Sequence, residues 1–589
     1  MMMEKQLGAG AASSWEQQQL NLPRLQTKQK QKQKQQQQQV VDSSQSLDQP
    51  DLEPLTPIGS MFLNPEMEFY GFCVIGFQNL VDLEELKQTL RNTLLKQKYF
   101  SSIVKKNKRG AAMWVPLRHV DMDALVFEPS GISEAEMAAP GFVDNYVADL
   151  ATAPPLSLTR PLWECHVLNG TSGSNATAHA VFRMHHCLGD GISVMSLVFA
   201  STRQTANPEK QPSIRATGGR KSKKQEIPHD DQKHQQQQQQ QRIFTCSVSG
   251  NKLFAWWNRV LGAATPLATL IWVKDSNTVL RPAAGGGGGG GGSNVILPAG
   301  LSLQRQPKRL AHATLNLDDM RVVKNAVGGT VNDVFLAMLD ASLHRYLQNH
   351  YHKELHPPDH MVSGSAKKQE TQHNIMCHKL SIDDDRRENY GGVCQAKKAS
   401  SKVKKLRVRT ALMENTRELG GLQELPAMME KGSKVRWGNC IGFSVFQFSL
   451  KCFSDPLDLV RAAVKEGNRI KAFREGHFTF WFGTLLSQCG LSHLSKTLFL
   501  RTMTQTSLLV SNLPGPVEQI MLGNNPIVHM FPVVARIPQS LCVYMQSYVG
   551  KVTLVVMSAK HIIPDPEKIT QYCIDALEEM KLAALSLKV

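Results

Sequence analysis

Two adjacent histidines, His185 and His186, open the stretch HHCLGDG at residues 185–191, with Asp190 and Gly191 closing it. A neutral imidazole is the usual general base at physiological pH, so the chemistry to consider first is removal of a proton from a weakly acidic nucleophile. Other reactive residue types carry less. Cys187 has no base of its own beside it and reads as a small buried residue. His352 and His356 stand four apart, but the order HKELH is not the HExxH of zinc peptidases and Pro357 follows at once, so solvent-exposed histidines are expected. Gly285 to Gly292 is followed by neither Lys-Ser/Thr nor a helix start, which makes it a tether rather than a phosphate loop. The eleven cysteines include no CxxC pair and no zinc-type spacing, so reduced thiols and no structural metal are expected.

The elements around HHCLGDG predict how an imidazole is held. Thr177 to Met184 reads as a strand, with Ala178, Ala180, Phe182 and Met184 on one face and His179, Val181 and Arg183 on the other. Ile192 to Ala200 is apolar enough for a helix, and Asp190-Gly191 turns the chain into it. A histidine at the end of a strand is fixed by rigid backbone. Trp163 to Leu168 predicts a neighbouring strand and Phe69 to Phe77 another. Asp82, with Glu85 three residues on, predicts the cap of a helix whose Leu83, Leu86, Leu90 and Leu94 line one face. Farther along, Thr330-Val331-Asn332-Asp333 leads into a helix with Val334, Phe335, Met338, Leu339 and Leu343 at helical spacing. The last part alternates strand-like runs (Ile441 to Leu450, Thr506 to Val510, Val552 to Met557) with helices, the final one beginning after Ile563-Pro564-Asp565-Pro566. The class is α/β.

At 589 residues the chain can bury a large core and form two substantial domains. Its formal charge of +17 would suggest nucleic acid, but residues 1–48, 201–235 and 361–409, which look unfolded, supply +13 of it. Solvated inserts explain most of this charge, and an anionic membrane surface is the next reading. Nucleic acid is disfavoured because no aromatic-interleaved basic motif accompanies the charge. The first residues lack a charged start followed by an apolar core, so a mature chain beginning near Met1 is expected.

Residues 1–48 form a Gln-rich tail too polar to fold, 49–203 a first domain, 204–300 a linker and 301–589 a second domain with a basic insertion at about 352–405. Within the linker, Leu253 to Val273 is the best membrane candidate. Its uncharged part, Val260 to Val273, has 14 residues, which is short for a span. Trp256, Trp257 and Trp272 suit a water–lipid interface, while a buried helix fits the same residues.

Taken together, these blocks resemble the bifunctional wax ester synthase/diacylglycerol O-acyltransferases, in their plant-type branch. HHCLGDG at 185–191 is similar to the family's HHxxxDG, Pro161-Leu162-Trp163 to its PLW block and Asn332-Asp333 to its ND block. EPLTPIGSMF at 53–62, NTRELGGLQEL at 415–425, RWGNCIGF at 436–443, SNLPGP at 511–516 and IPDP at 563–566 support the likeness, which runs from Pro54 to the C-terminal helix apart from inserts. HHxxxDG alone marks the wider coenzyme-A-dependent superfamily; the further blocks in order narrow it.

The resemblance implies two chloramphenicol-acetyltransferase-like α/β subdomains with an active-site channel at their interface. It implies transfer of an acyl group from acyl-coenzyme A, a substrate rather than a cofactor, to a long-chain alcohol or diacylglycerol. His186 would be the general base, with no covalent acyl-enzyme, and Asn332 is the candidate oxyanion donor. His185, Asp190, Gly191, Asp333, Pro161, Leu162 and Trp163 would be structural, Asp190 through an ion pair facing away from the imidazole. No cofactor, metal or nucleic-acid partner is expected. Because the acceptors live in membranes, peripheral association with the endoplasmic reticulum, facing the cytosol, is expected ahead of a span. Glu418 stands where many relatives have proline, and Ser558-Ala559-Lys560 replaces a stretch that usually includes an acidic residue. Rival readings are a soluble small-molecule acyltransferase, whose DFGWG element is missing from this sequence, and a catalytically idle lipid-binding scaffold of the same fold.

Overall fold

A computed structural model describes residues 52–171, 176–213, 272–281, 305–355, 401–417, 437–451 and 453–587, with backbone alone for 353–355. The Gln-rich tail, the glycine tract, His356, Glu418, most of Leu253 to Val273 and most of the basic insertion lie outside the described residues.

In chain order the strands are β1 (Glu53–Pro54), β2 (Tyr70–Phe77), β3 (Ser102–Lys106), β4 (Ala112–Pro116), β5 (Val126–Phe127), β6 (Trp163–Asn169), β7 (Ala178–His185) and β8 (Thr202–Gln204). They continue with β9 (Lys308–Asn316), β10 (Arg409–Asn415), β11 (Ile441–Gln447), β12 (Leu508–Leu513), β13 (Ile520–Leu522), β14 (Asn525–Ala535), β15 (Leu541–Tyr548) and β16 (Lys551–Ala559). The helices used below are α1 (Pro57–Met61), α2 (Leu83–Asn92), α3 (Phe142–Leu150), α4 (Gly191–Ser201) and α5 (Leu317–Val327). After them come α6 (Val331–Leu355), α7 (Pro456–Phe473), α8 (Glu475–Gln488), α9 (Ser492–Gln505) and α10 (Pro566–Ser586).

One compact unit contains a small antiparallel sheet in the order β1-β4-β3, with Trp114, Ile103 and Val104 buried and Lys98 paired to Glu53. The other holds two larger mixed sheets, the α/β architecture expected. Its seven-stranded sheet runs β5-β6-β7-β2-β14-β13-β8, so β13 and β14, from the C-terminal third of the chain, join strands that lie between residues 70 and 204. Strand β14 pairs antiparallel with β2 from Ile527 opposite Phe77 to Ala535 opposite Tyr70. The six-stranded sheet runs β11-β10-β12-β15-β16-β9, and β10, β12 and β15 are parallel to one another. Residues of α5, α6, α7 and α10 pack with this sheet into one core that includes Phe335, Met338, Leu339, Val460, Val543 and Leu577.

Local chemistry sets the boundaries. The carboxylate of Asp82 accepts hydrogen bonds from the Glu84 and Glu85 amides at 2.9 Å and starts α2, whose Leu86 and Leu90 are buried. Strand β7 is central, between β6 and β2, and every one of its residues is buried. Its second face therefore buries polar groups that need partners. Arg183 donates to Glu164 at 2.9 Å and to the Pro154 carbonyl at 2.6 Å, and His179 bonds Thr171 at 2.7 Å. The helix expected from Thr330-Val331-Asn332-Asp333 starts at Val331 behind the Thr330 cap, and its helical backbone runs on to Leu355.

Candidate active site

Strand β7 ends at His185, whose Nδ1 accepts a hydrogen bond from the Cys187 amide at 3.2 Å and so caps the short turn His186–Leu188. Burial, with help from the positive charges of its neighbours, drives the His185 imidazole down to about 3, so it stays neutral as a capping acceptor. The same burial raises the Cys187 thiol far above its ordinary range and keeps it protonated. Neither flanking residue is poised to react.

His186 is placed differently. It is half-buried, its amide donates to the Phe69 carbonyl at 2.9 Å, and its ring lies 4.7 Å from the Phe62 ring, centroid to centroid. Asn439, distant in sequence, meets it twice. The Asn439 Nδ2 donates to the His186 carbonyl at 2.9 Å, which turns its Oδ1 towards the His186 Nδ1 at 3.1 Å. An amide oxygen only accepts, so Nδ1 carries the proton and Nε2 keeps the lone pair. Desolvation lowers the pKa of this imidazole below its ordinary value, opposed by Asp190, by its own backbone and by Asn439. The result is a neutral ring with a defined basic nitrogen.

The turn that carries His186 is strapped down by Trp437 to Cys440. Trp437 Nε1 donates to the Leu188 carbonyl at 2.8 Å, and the Gly438 amide donates to Ser193 Oγ at 3.1 Å. The Cys440 amide donates to Asp190 Oδ2 at 2.8 Å. Gly438 has φ of +105°, a region L side chains rarely adopt, and a Cβ there would sit 3.0 Å from Thr56. Asp190 faces this strap rather than the imidazole: its Oδ1 caps α4 through the Ser193 amide at 2.9 Å, and its Oδ2 pairs with Arg417 at 2.8 Å. Both members of that ion pair are buried, and Arg417 also donates to Ser193 Oγ at 3.0 Å and to the Gly438 carbonyl at 2.5 Å. Sequence reasoning named the segments carrying Asn439 and Arg417 as family blocks but gave neither residue a role.

Gly191 permits close packing: a Cβ there would lie 2.9 Å from Leu513 Cδ1. The residue before Leu513, Asn512, donates from Nδ2 to Asn332 Oδ1 at 3.4 Å. That contact leads from the HHCLGDG loop through the end of β12 to the start of α6, although Asn332 makes no hydrogen bond to His186 itself. Asp333 accepts from the Thr330 amide at 2.8 Å and from its hydroxyl at 2.7 Å, while Thr330 Oγ1 accepts from the Asp333 amide at 3.3 Å. This reciprocal cap holds Asn332 in the first turn. Pro161 and Leu162 are buried just before β6, and the fully buried Trp163 opens that strand opposite Met184.

Beyond Phe62 lies an apolar cavity of about 60 Å³, lined by Ile58, Met61, Phe62, Phe443, Leu486 and Phe499 among others. Phe62 thus lies against both the imidazole and the cavity.

The family model described as the wax ester synthase/diacylglycerol acyltransferase catalytic domain matches residues 76–335, and that of the WS/DGAT C-terminal domain matches residues 437–581. The Arabidopsis thaliana protein named wax ester synthase/diacylglycerol acyltransferase 5 is 31% identical over 541 residues, covering 90% of this chain and 93% of that protein. The chain belongs to the wax ester synthase/diacylglycerol acyltransferase family. Arabidopsis wax ester synthase/diacylglycerol acyltransferase 6 is 30% identical with the same coverage of both chains. Among solved structures, the wax ester synthase/diacylglycerol acyltransferase from Marinobacter aquaeolei VT8 aligns over 90% of this chain and 100% of its own, with a TM-score of 0.48 at 16% identity. For a member of this family, the matched segments contain both partners of the Asn439–His186 pair, the first in the C-terminal domain and the second in the catalytic domain.

Proposed function

We propose that this chain is an acyl-coenzyme-A-dependent O-acyltransferase that uses His186 Nε2 as its base and accepts a long-chain alcohol or diacylglycerol. The observation that carries this reading is the neutral imidazole whose Nδ1 is committed to Asn439 and whose ring packs on Phe62, a residue that lines an apolar cavity. In the reaction, His186 Nε2 takes the acceptor's hydroxyl proton as its oxygen attacks the thioester carbonyl. The tetrahedral intermediate then collapses: the carbon–sulfur bond breaks, the ester stays on the acceptor oxygen, and the imidazolium returns the proton to the coenzyme A thiolate. The proton balance closes on one residue, so no acyl-enzyme is needed. General-base assistance of this kind is worth ~10² to 10⁴ in rate.

Asn332 is the proposed donor to the oxyanion. Asn512 occupies its Oδ1, which leaves the Nδ2 hydrogens for a developing negative charge. The cavity beside Phe62 would take an apolar chain. Its roughly 60 Å³ is far below the about 300–1,000 Å³ of sites that bury a whole ligand, so taking up an acyl chain requires the lining side chains to move. Both acceptors present one hydroxyl on an apolar body and are dissolved in membranes, which supports peripheral work at the endoplasmic reticulum, on its cytosolic side.

The test supplies purified chain with labelled acyl-coenzyme A and either hexadecanol or diacylglycerol, and separates the lipids. Wax ester, triacylglycerol or both are expected. Binding of acyl-coenzyme A with no labelled ester from either acceptor would instead make the chain an idle lipid-binding scaffold.

A further inference from the structure

Helices α8 and α9 form a hairpin closed at Cys489 and at Gly490, whose φ is +77°. Residues 476–505, which make up nearly all of it, contain no Asp or Glu. Helix α8 is apolar on two opposite faces. Thr479, Phe482, Gly483 and Leu486 line the cavity beside Phe62. On the other side, Trp481 is 58% exposed and Leu485 38% exposed, one turn apart. Phe478 stacks on Phe482 at 6.0 Å and lies 6.5 Å from Trp481. At and just after the hairpin tip, Leu491 is 48% exposed and Leu494 43% exposed. Large apolar side chains left exposed near one another mark docking surfaces.

The charge beside these side chains is of one dominant sign. Lys274, His493, Lys496 and Arg501 line an open groove of about 560 Å³ along α9, in which Glu66, bonded to Lys496 at 2.9 Å, is the acidic member. Trp272, 72% exposed, stands two residues before Lys274. Exposed indoles and leucines next to a cationic groove match the two layers of an anionic bilayer surface, acyl region and phosphate region.

We propose that the α8–α9 hairpin docks on an anionic lipid bilayer, with Trp481, Leu485, Leu491 and Leu494 entering the acyl region and the Lys274, Lys496 and Arg501 groove meeting lipid phosphates. Because another face of the same hairpin lines the cavity beside Phe62, docking sets that cavity next to the layer in which the acceptors dissolve. This use of the surface rests on the acyltransferase reading; the docking itself does not.

The test is sedimentation of the full chain with phosphatidylcholine vesicles, with and without phosphatidylserine. The chain is expected to bind the phosphatidylserine vesicles, less tightly at high salt. Trp481→Ser with Leu485→Ser is expected to weaken that binding about tenfold or more, with an unchanged melting temperature and unchanged transfer to a water-soluble short-chain alcohol. Trp481→Phe with Leu485→Met should bind like the unaltered chain, which separates lost apolar area from misfolding. Equal binding by the serine variant, absence of binding by the unaltered chain, or dissociation of a dimer on making the serine variant would each overturn the proposal, the last by assigning the face to a second copy of the chain. Vesicle binding without acyl transfer would leave the docking standing and remove the catalytic reading instead.

Discussion

Replacing Asn439 with alanine removes the two hydrogen bonds that define the state of His186, one to Nδ1 at 3.1 Å and one to its carbonyl at 2.9 Å. In the reaction the ring becomes an imidazolium, and Nδ1–H then makes a charge-assisted bond to the Asn439 oxygen. Such a bond is worth roughly 1.5–3 kcal/mol against about 0.5–1.5 kcal/mol for the neutral one, and the difference of about 1–1.5 kcal/mol is about a five- to tenfold effect on rate. The loss falls on kcat, because the bond strengthens as charge develops, and KM for acyl-coenzyme A should hold within about twofold. The direction of the pH effect follows from the same contact. Asn439 stabilises the cation and so opposes the desolvation that lowers the His186 pKa. Its removal moves the acidic limb of kcat to lower pH, whereas Asn439→Asp, which supplies a carboxylate, moves that limb to higher pH. Steady-state kinetics across pH on the three proteins reads this out. Unchanged kcat in Asn439→Ala, or acidic limbs that shift together in both variants, would refute the positioning role.

Three further outcomes are expected. Arg417→Ala leaves the buried Asp190 carboxylate with two amide donors and no cation, so urea denaturation should show a loss of about 3–5 kcal/mol; a loss below about 1 kcal/mol would remove the ion pair as the anchor of the loop. Burial holds His179 and His344 down to about 4 and His185 and His529 down to about 3. In the unfolded chain each takes up its proton near the ordinary value of about 6.5. The stability these groups contribute is therefore complete above that pH and declines as pH falls through the window between the two values, by up to about 1.4 kcal/mol per pH unit for each histidine. His312, raised by its bond to Asp144 against desolvation, opposes part of the slope. Urea midpoints that stay level between pH 6.5 and pH 4 would contradict this. Finally, Asn332→Ala should lower kcat by ~10² to 10³ with little change in vesicle binding if its Nδ2 serves the oxyanion, and an unchanged kcat would remove it from that role.

How much of this was legible in the sequence depends on how far each contact reaches along the chain. HHCLGDG announced both its strand and its helix because the local signals agree: the strand ends at His185, and Asp190 caps the helix that follows. The Thr330–Asp333 start of α6 was readable for the same reason. Asn439 was not, since its bond to His186 spans 253 positions and an asparagine in a glycine-containing turn has an ordinary local explanation. Arg417 reaches Asp190 across 227 positions, and no periodicity marks it. Strand β14 gave no sign that, besides pairing with its neighbour β13, it would pair with β2, because strand pairing is decided by tertiary packing. Alternation in β7 was visible, but the burial of its polar face was not, because it depends on the partners that Glu164, Pro154 and Thr171 supply.

The measurement that bears most directly on the account is ester formation from labelled acyl-coenzyme A by His186→Ala beside the unaltered chain, with melting temperature and vesicle binding recorded on the same samples. The account predicts a fall of ~10² to 10⁴ in the rate of ester formation, with folding and membrane attachment unchanged. Ester formation by His186→Ala at the full rate would contradict it.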